Sequence, residues 1–126
     1  MKIYVAHNFD ARLDLREIIY RYFKHHEVTS TWIYDDSHAL GGQTRQASAR
    51  VDIEDIERAD CFLLFVDQFG ERTGRGKWVE WGYALGIGKK IILVGEDEGC
   101  IFYHLEHANI SRFKSIQAAI KSLEGR

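Results

Sequence analysis

Two short apolar runs, Cys61 to Val66 and Ile91 to Val94, flank the stretch from Gly74 to Gly88. Runs of this length without polar alternation read as strands buried on both faces. Two such strands paired in parallel need a crossover between them. The intervening Gly-Arg-Gly-Lys-Trp-Val-Glu-Trp-Gly-Tyr-Ala-Leu-Gly-Ile-Gly is long enough for a Gly-rich turn followed by a helix. The chain is thereby committed to a parallel β-α-β unit, which must be buried by further layers of the same kind.

The rest of the sequence supplies those layers. Lys2 to Ala6 is a short, mostly apolar strand, and His7 to Asp10 a turn in which Asn8 or Asp10 can cap a helix. Ala11 to Phe23 is helical, with Leu13, Ile18, Ile19 and Phe23 as its apolar face. Glu27 to Ile33 alternates as a second strand, and Tyr34 to Gly42 is a loop. Thr44 to Arg58 reads as a polar helix with Ala47, Ala49, Val51, Ile53 and Ile56 inward. Ala59-Asp60 leads into the third strand, Asp67 to Thr73 is a loop, and Lys89 to Val94 is the fourth strand. An acidic turn (Gly95 to Gly99), a short helical turn (Ile101 to Leu105), a fifth strand (Asn109 to Phe113) and a closing helix (Lys114 to Leu123) follow. The predicted fold class is α/β: one domain over residues 1–126, an open, mostly parallel five-stranded sheet with helices on both faces, Rossmann- or flavodoxin-like.

Bulk properties exclude several classes. With 126 residues the chain suits a single core. A net charge of −2 leaves no basic footprint for polymeric nucleic acid. No apolar run is long enough to span a bilayer, and the N-terminus enters a strand directly, so a cytoplasmic location is expected. The only cysteines are Cys61 and Cys100, which fits a reducing compartment. No Cys/His set has metal-ligand spacing, so no metal is expected from the residues themselves.

In open parallel sheets, ligands sit beyond the carboxyl ends of the strands. Three segments converge there: His7 to Asp10, Tyr34 to Gly42, and Gln68 to Glu80. Gly74 and Gly76 at a helix start leave backbone N–H groups for an anion, or simply make a tight turn. Glu80 is the more informative residue, a carboxylate among Trp78, Val79, Trp81 and Tyr83. The helix dipole favours its ionised form and apolar neighbours oppose it. Gly82 and Gly86 suggest a close approach to the sheet or to a ligand. Tyr4 is a core aromatic or a pocket hydroxyl, and Trp32 a core ring or a stacking platform. Asp52, Glu54, Asp55, Glu57 and Asp60 read mostly as a solvated acidic face.

The order Gly74-Arg75-Gly76, Val79-Glu80-Trp81-Gly82-Tyr83-Ala84-Leu85, Gly88-Lys89 resembles the signature of the nucleoside 2-deoxyribosyltransferase-like family, which includes nucleoside 5′-monophosphate N-glycosidases. Lys2 to Ala6, Glu27 to Trp32 and Asp52 to Asp60 extend the resemblance over nearly the whole chain. It implies cleavage of an N-glycosidic bond with Glu80 as nucleophile. Asp52 is then the carboxylate that contacts or protonates the base, and Tyr4 the residue that orients the nucleophile. His7, Asn8, Trp32, Gly74, Arg75 and Gly76 become substrate-binding positions. It also implies a homodimer or larger homo-oligomer, for which Trp78 or Trp81 is a candidate contact. The chain departs from the transferases in three places. Arg72 stands where they carry an aspartate, the path from the Gly-x-Gly to the glutamate is longer, and Gly99 to Phe102 lacks their asparagine. Arg72 and Arg75 suit a phosphate, which moves the expectation toward a nucleotide hydrolase. Two alternatives are a TIR-like NAD glycohydrolase and a catalytically silent nucleotide-binding module.

Overall fold

The computed structural model describes residues 1–36, 44–66, 75–97 and 99–124, with the side chain of Arg75 left out. Gly41, Gly42, Arg72 and Gly74 lie outside the described residues, as do the loop positions 37–43 and 67–73. Five strands form one sheet: β1 (Lys2–Ala6), β2 (Glu27–Val28), β3 (Cys61–Phe65), β4 (Lys90–Val94) and β5 (Ile110–Phe113). Their spatial order is β2-β1-β3-β4-β5, and each neighbouring pair is parallel. This is the flavodoxin-type order. The chain leaves β1 toward one edge and returns to build the other, so the crevice opens at the carboxyl ends of β1 and β3.

Four α-helices cover the sheet among the described residues: α1 (Arg12–Tyr22), α2 (Arg45–Arg58), α3 (Arg75–Gly86) and α4 (Ile116–Glu124). Strand alternation sorts the core into two layers. Ile3, Val5, Cys61, Leu63, Ile92 and Val94 face α1 and α4, meeting Leu15, Phe23, Ala119 and Ile120. Tyr4, Ala6, Phe62, Leu64, Ile91 and Leu93 face α2 and α3, meeting Ile56, Ala59, Trp81 and Ala84.

Local chemistry sets the helix ends. Thr44 accepts a hydrogen bond from the Ala47 N–H and caps α2. At the end of α3, Gly88 takes φ +85°. Its N–H bonds to the Leu85 carbonyl and that of Lys89 to the Ala84 carbonyl, a Schellman closure. Gly95, at φ +114°, passes so close to β3 that a Cβ would lie 2.8 Å from the Val66 carbonyl oxygen; only glycine fits.

Four expectations need correction. The second strand stops at Val28, and Thr31–Tyr34 is a 3-10 turn. The Thr31 N–H, free to extend a ladder, is instead taken by the Asp55 carboxylate. Leu13 is 60% exposed, and Leu15 fills the core position on α1. On α2, Ala49 is exposed and Asp55 is buried. Gly82 and Gly86 face open space rather than the sheet or a neighbouring group among the described residues.

Candidate active site

β1 and α3 position the central pair. Tyr4 is fully buried, its ring stacked on Phe62 of β3 with centroids 5.5 Å apart. Its hydroxyl donates to Glu80 Oε2 at 3.0 Å. Tyr4 is therefore both of the things its sequence context allowed, a core ring and a pocket hydroxyl. Burial, and then the negative charges of Glu80 and Asp52, push the phenol far above its ordinary range, so it serves as a donor at any physiological pH.

Glu80 lies in the second turn of α3, beyond reach of the first-turn N–H groups that would favour its charge. Burial, the charge of Asp52 and a hydrogen bond with Asp52 raise its carboxyl to about 8; the Tyr4 hydroxyl acts in the opposite direction. Two carboxyl groups can bond to each other only with a proton between them, so near neutrality the Glu80–Asp52 pair holds one proton.

These residues open into a cavity of about 300 Å³. Glu80 and Asp52 contribute two of its three carboxyl groups, with His7 and Asn8 on the turn after β1. Phe9 and Trp32 form an aromatic wall, their centroids 6.3 Å apart. Gly76 and Lys77 enter from the first turn of α3, and Asp35 and Ser48 complete the lining. The His7 ring stacks on Phe65 at the end of β3, and its Nδ1 accepts from the Asn8 N–H. With Nδ1 so engaged, the neutral ring carries its proton on Nε2.

The structure thus brings Glu80, Asp52, Tyr4, His7, Asn8, Trp32 and Gly76 to one place. Gly74 and the Arg75 side chain lie outside what is described. Asp60 stands apart, accepting from the Lys2 N–H. Trp81 is buried against Trp78 and Phe102 rather than exposed.

Sequence reasoning missed Lys77, which is only 3% exposed. Its spacing carried a signal: three residues before Glu80 on one helix, it must share that residue's face. It also missed Phe9, Asp35 and Ser48, although the first two lie in segments expected at the crevice. Among the described residues no group of three or more His, Cys, Asp or Glu side chains could hold a metal ion.

The sequence profile of the nucleoside 2-deoxyribosyltransferase family matches residues 3–116. The chain belongs to that family. Nucleoside 2-deoxyribosyltransferase-family enzymes take small nucleosides or nucleotides as substrates. A solved relative in fold is the Clostridium botulinum CMP N-glycosidase BcmB, at 19% identity, TM-score 0.68 and coverage of 98% of each chain. No curated protein matches the sequence significantly. No helix among the described residues is long and apolar enough to cross a membrane.

Proposed function

We propose that this chain cleaves the N-glycosidic bond of a nucleoside or nucleoside 5′-monophosphate, with Glu80 as nucleophile. The observation that carries the reading is the Glu80 carboxyl in the cavity, hydrogen-bonded by Tyr4 and raised in pKa by burial and by Asp52. Glu80 attacks the anomeric carbon as the bond from that carbon to the base nitrogen breaks. The bonding pair leaves with the base, and the proton held by the carboxyl pair passes to it through Asp52. A glycosyl ester on Glu80 remains. Water deprotonated by Asp52, or a second free base, then opens the ester. Neither metal nor organic cofactor enters this sequence of steps.

The aromatic wall of Phe9 and Trp32 suits a flat base. Lys77, buried at the start of α3, and the helix N-terminus supply positive potential for a 5′-phosphate. Hydrolysis of a monophosphate is therefore the preferred form of the reading. The same reading includes self-association. Exposed Ile101, Phe102 and Leu105 offer an apolar surface for it, and light scattering showing only monomers would remove that part. Free Cys61 and Cys100 suit a cytoplasmic setting.

The test is chromatographic detection of free base released from ribo- and deoxyribonucleosides, their 5′-monophosphates and NAD, with Glu80→Gln run beside the parent. Release from one class, lost in the variant, is the expected result. Full release by folded Glu80→Gln refutes the nucleophile. Release from NAD alone would move the chain to the NAD glycohydrolase reading. Tight nucleotide binding without release from any substrate would identify a silent binding module.

A further inference from the structure

Asp55 is the one carboxylate among the described residues that is fully buried, at 3% exposed, and the mechanism above gives it no part. It lies one turn after Asp52 on α2. Its Oδ2 accepts from both the N–H and the hydroxyl of Thr31, at 3.0 and 2.7 Å. Its Oδ1 takes the Arg58 guanidinium, and its backbone carbonyl accepts from the Thr29 hydroxyl. Thr31 begins the 3-10 turn that carries Trp32. The indole of Trp32 is fixed further on, its Nε1–H donating to the Val5 carbonyl at 3.0 Å. From the other side, Arg16 of α1 donates to the Ile33 carbonyl.

We propose that Asp55 is a positioning residue for substrate binding: it ties the turn bearing the Trp32 platform to the helix bearing Asp52. The cavity then keeps a fixed spacing between the ring on which the base stacks and the carboxyl that meets the base edge. The turn follows a two-residue edge strand, β2, that has no neighbour on its outer side. Sheet pairing therefore does not extend to it, and a buried carboxylate that accepts three hydrogen bonds can hold it. Breaking such a network from one side leaves a buried polar group without its partner. The role of Asp55 is thus geometric rather than chemical. The catalytic part of this inference rests on the function proposed above; the structural part does not.

The test uses Asp55→Asn, Asp55→Ala and Thr31→Val in the full chain. Thr31→Val deletes one hydroxyl and leaves the backbone bond and the Arg58 pair, so it serves if the Asp55 variants fail to fold. The first readout needs no substrate: hydrogen exchange of the Trp32 indole N–H, followed by NMR. It should speed up roughly tenfold or more in each folded variant, with amides of β3 and β4 unchanged. The second is kinetic. KM should rise roughly tenfold with kcat little changed, the signature of lost binding common to ground and transition states. In a Trp32→Ala background the same substitutions should add almost nothing, because the pair acts as one unit. Unchanged indole exchange, or full additivity with Trp32→Ala, overturns the proposal. Absence of base release by the parent protein would count against the function proposed above, and the indole exchange would still decide the role of Asp55.

Discussion

The two faces of the sheet share the same strands and differ in what they bury. Toward α1 and α4 the described core is apolar throughout, from Ile3 and Val5 to Leu15 and Ile120. Toward α2 and α3 the same strands present Tyr4, and the helices add Glu80, Asp52, Lys77 and Asp55. In β1 the division falls residue by residue: Ile3 and Val5 on one side, Tyr4 and Ala6 on the other. One face is built for stability. On the other, burial is used to shift the protonation of a carboxyl pair, at a cost in desolvation that only a hydrogen-bonded network offsets.

The sharpest break between the faces is Glu80→Gln. Activity should fall on the order of 10³-fold or more, since the amide cannot form the glycosyl ester and Asp52 is already committed to the base. Thermal unfolding at neutral pH should show a fold at least as stable as the parent, because glutamine carries none of the cost of a buried titrating carboxyl. A variant that loses activity by losing its fold would erase the distinction. Leu15→Ala is the mirror experiment. It should cost about 3 kcal/mol of stability by opening a cavity under α1, read by denaturant titration, and leave kcat/KM intact well below Tm. A large loss of kcat/KM in the folded variant would mean that the apolar face also shapes the site.

Tyr4→Phe probes the strand that serves both sides. Loss of a hydrogen bond to a carboxylate should reduce kcat by roughly tenfold to a hundredfold, and the Phe62 stack should survive. Because the Tyr4 hydroxyl lowers the Glu80 pKa, its removal should move the alkaline limb of the pH–rate profile upward. An unmoved limb would detach Tyr4 from the titration.

The mildest effect is the dependence of stability on pH. The Glu80 carboxyl is pushed up to about 8 in the folded chain from an ordinary 4.5, so between those values the folded chain binds more protons than the unfolded one. Its contribution to stability is complete below about 4.5, falls as pH rises through 8, and is flat beyond. Glu80→Gln should remove that slope. In activity, a pair that must deliver its proton to the base loses kcat/KM above about 8. A rate that climbs through 8 instead would mean that only the ionised nucleophile matters and Asp52 supplies no proton.

Much of this was legible in the chain. The apolar runs of Cys61 to Val66 and Ile91 to Val94 fixed a parallel sheet, because few other structures bury such segments on both faces. Glu80 stood out by its aromatic company, and the order of residues around it pointed to a family before any coordinate did. Asp52 was singled out only by the family resemblance, and Asp55 not at all. They sit in a run of acidic residues whose helical period does not say which faces water, and α2 has no strongly apolar stripe to orient it. Only packing decided that Asp52 would meet Glu80, that Asp55 would be sealed under Thr31, and that Lys77 would be drawn inward. Sequence pattern specifies a backbone period and the side to be buried. Which polar groups share that buried side depends on partners distant in the chain, and tertiary structure alone brings those together.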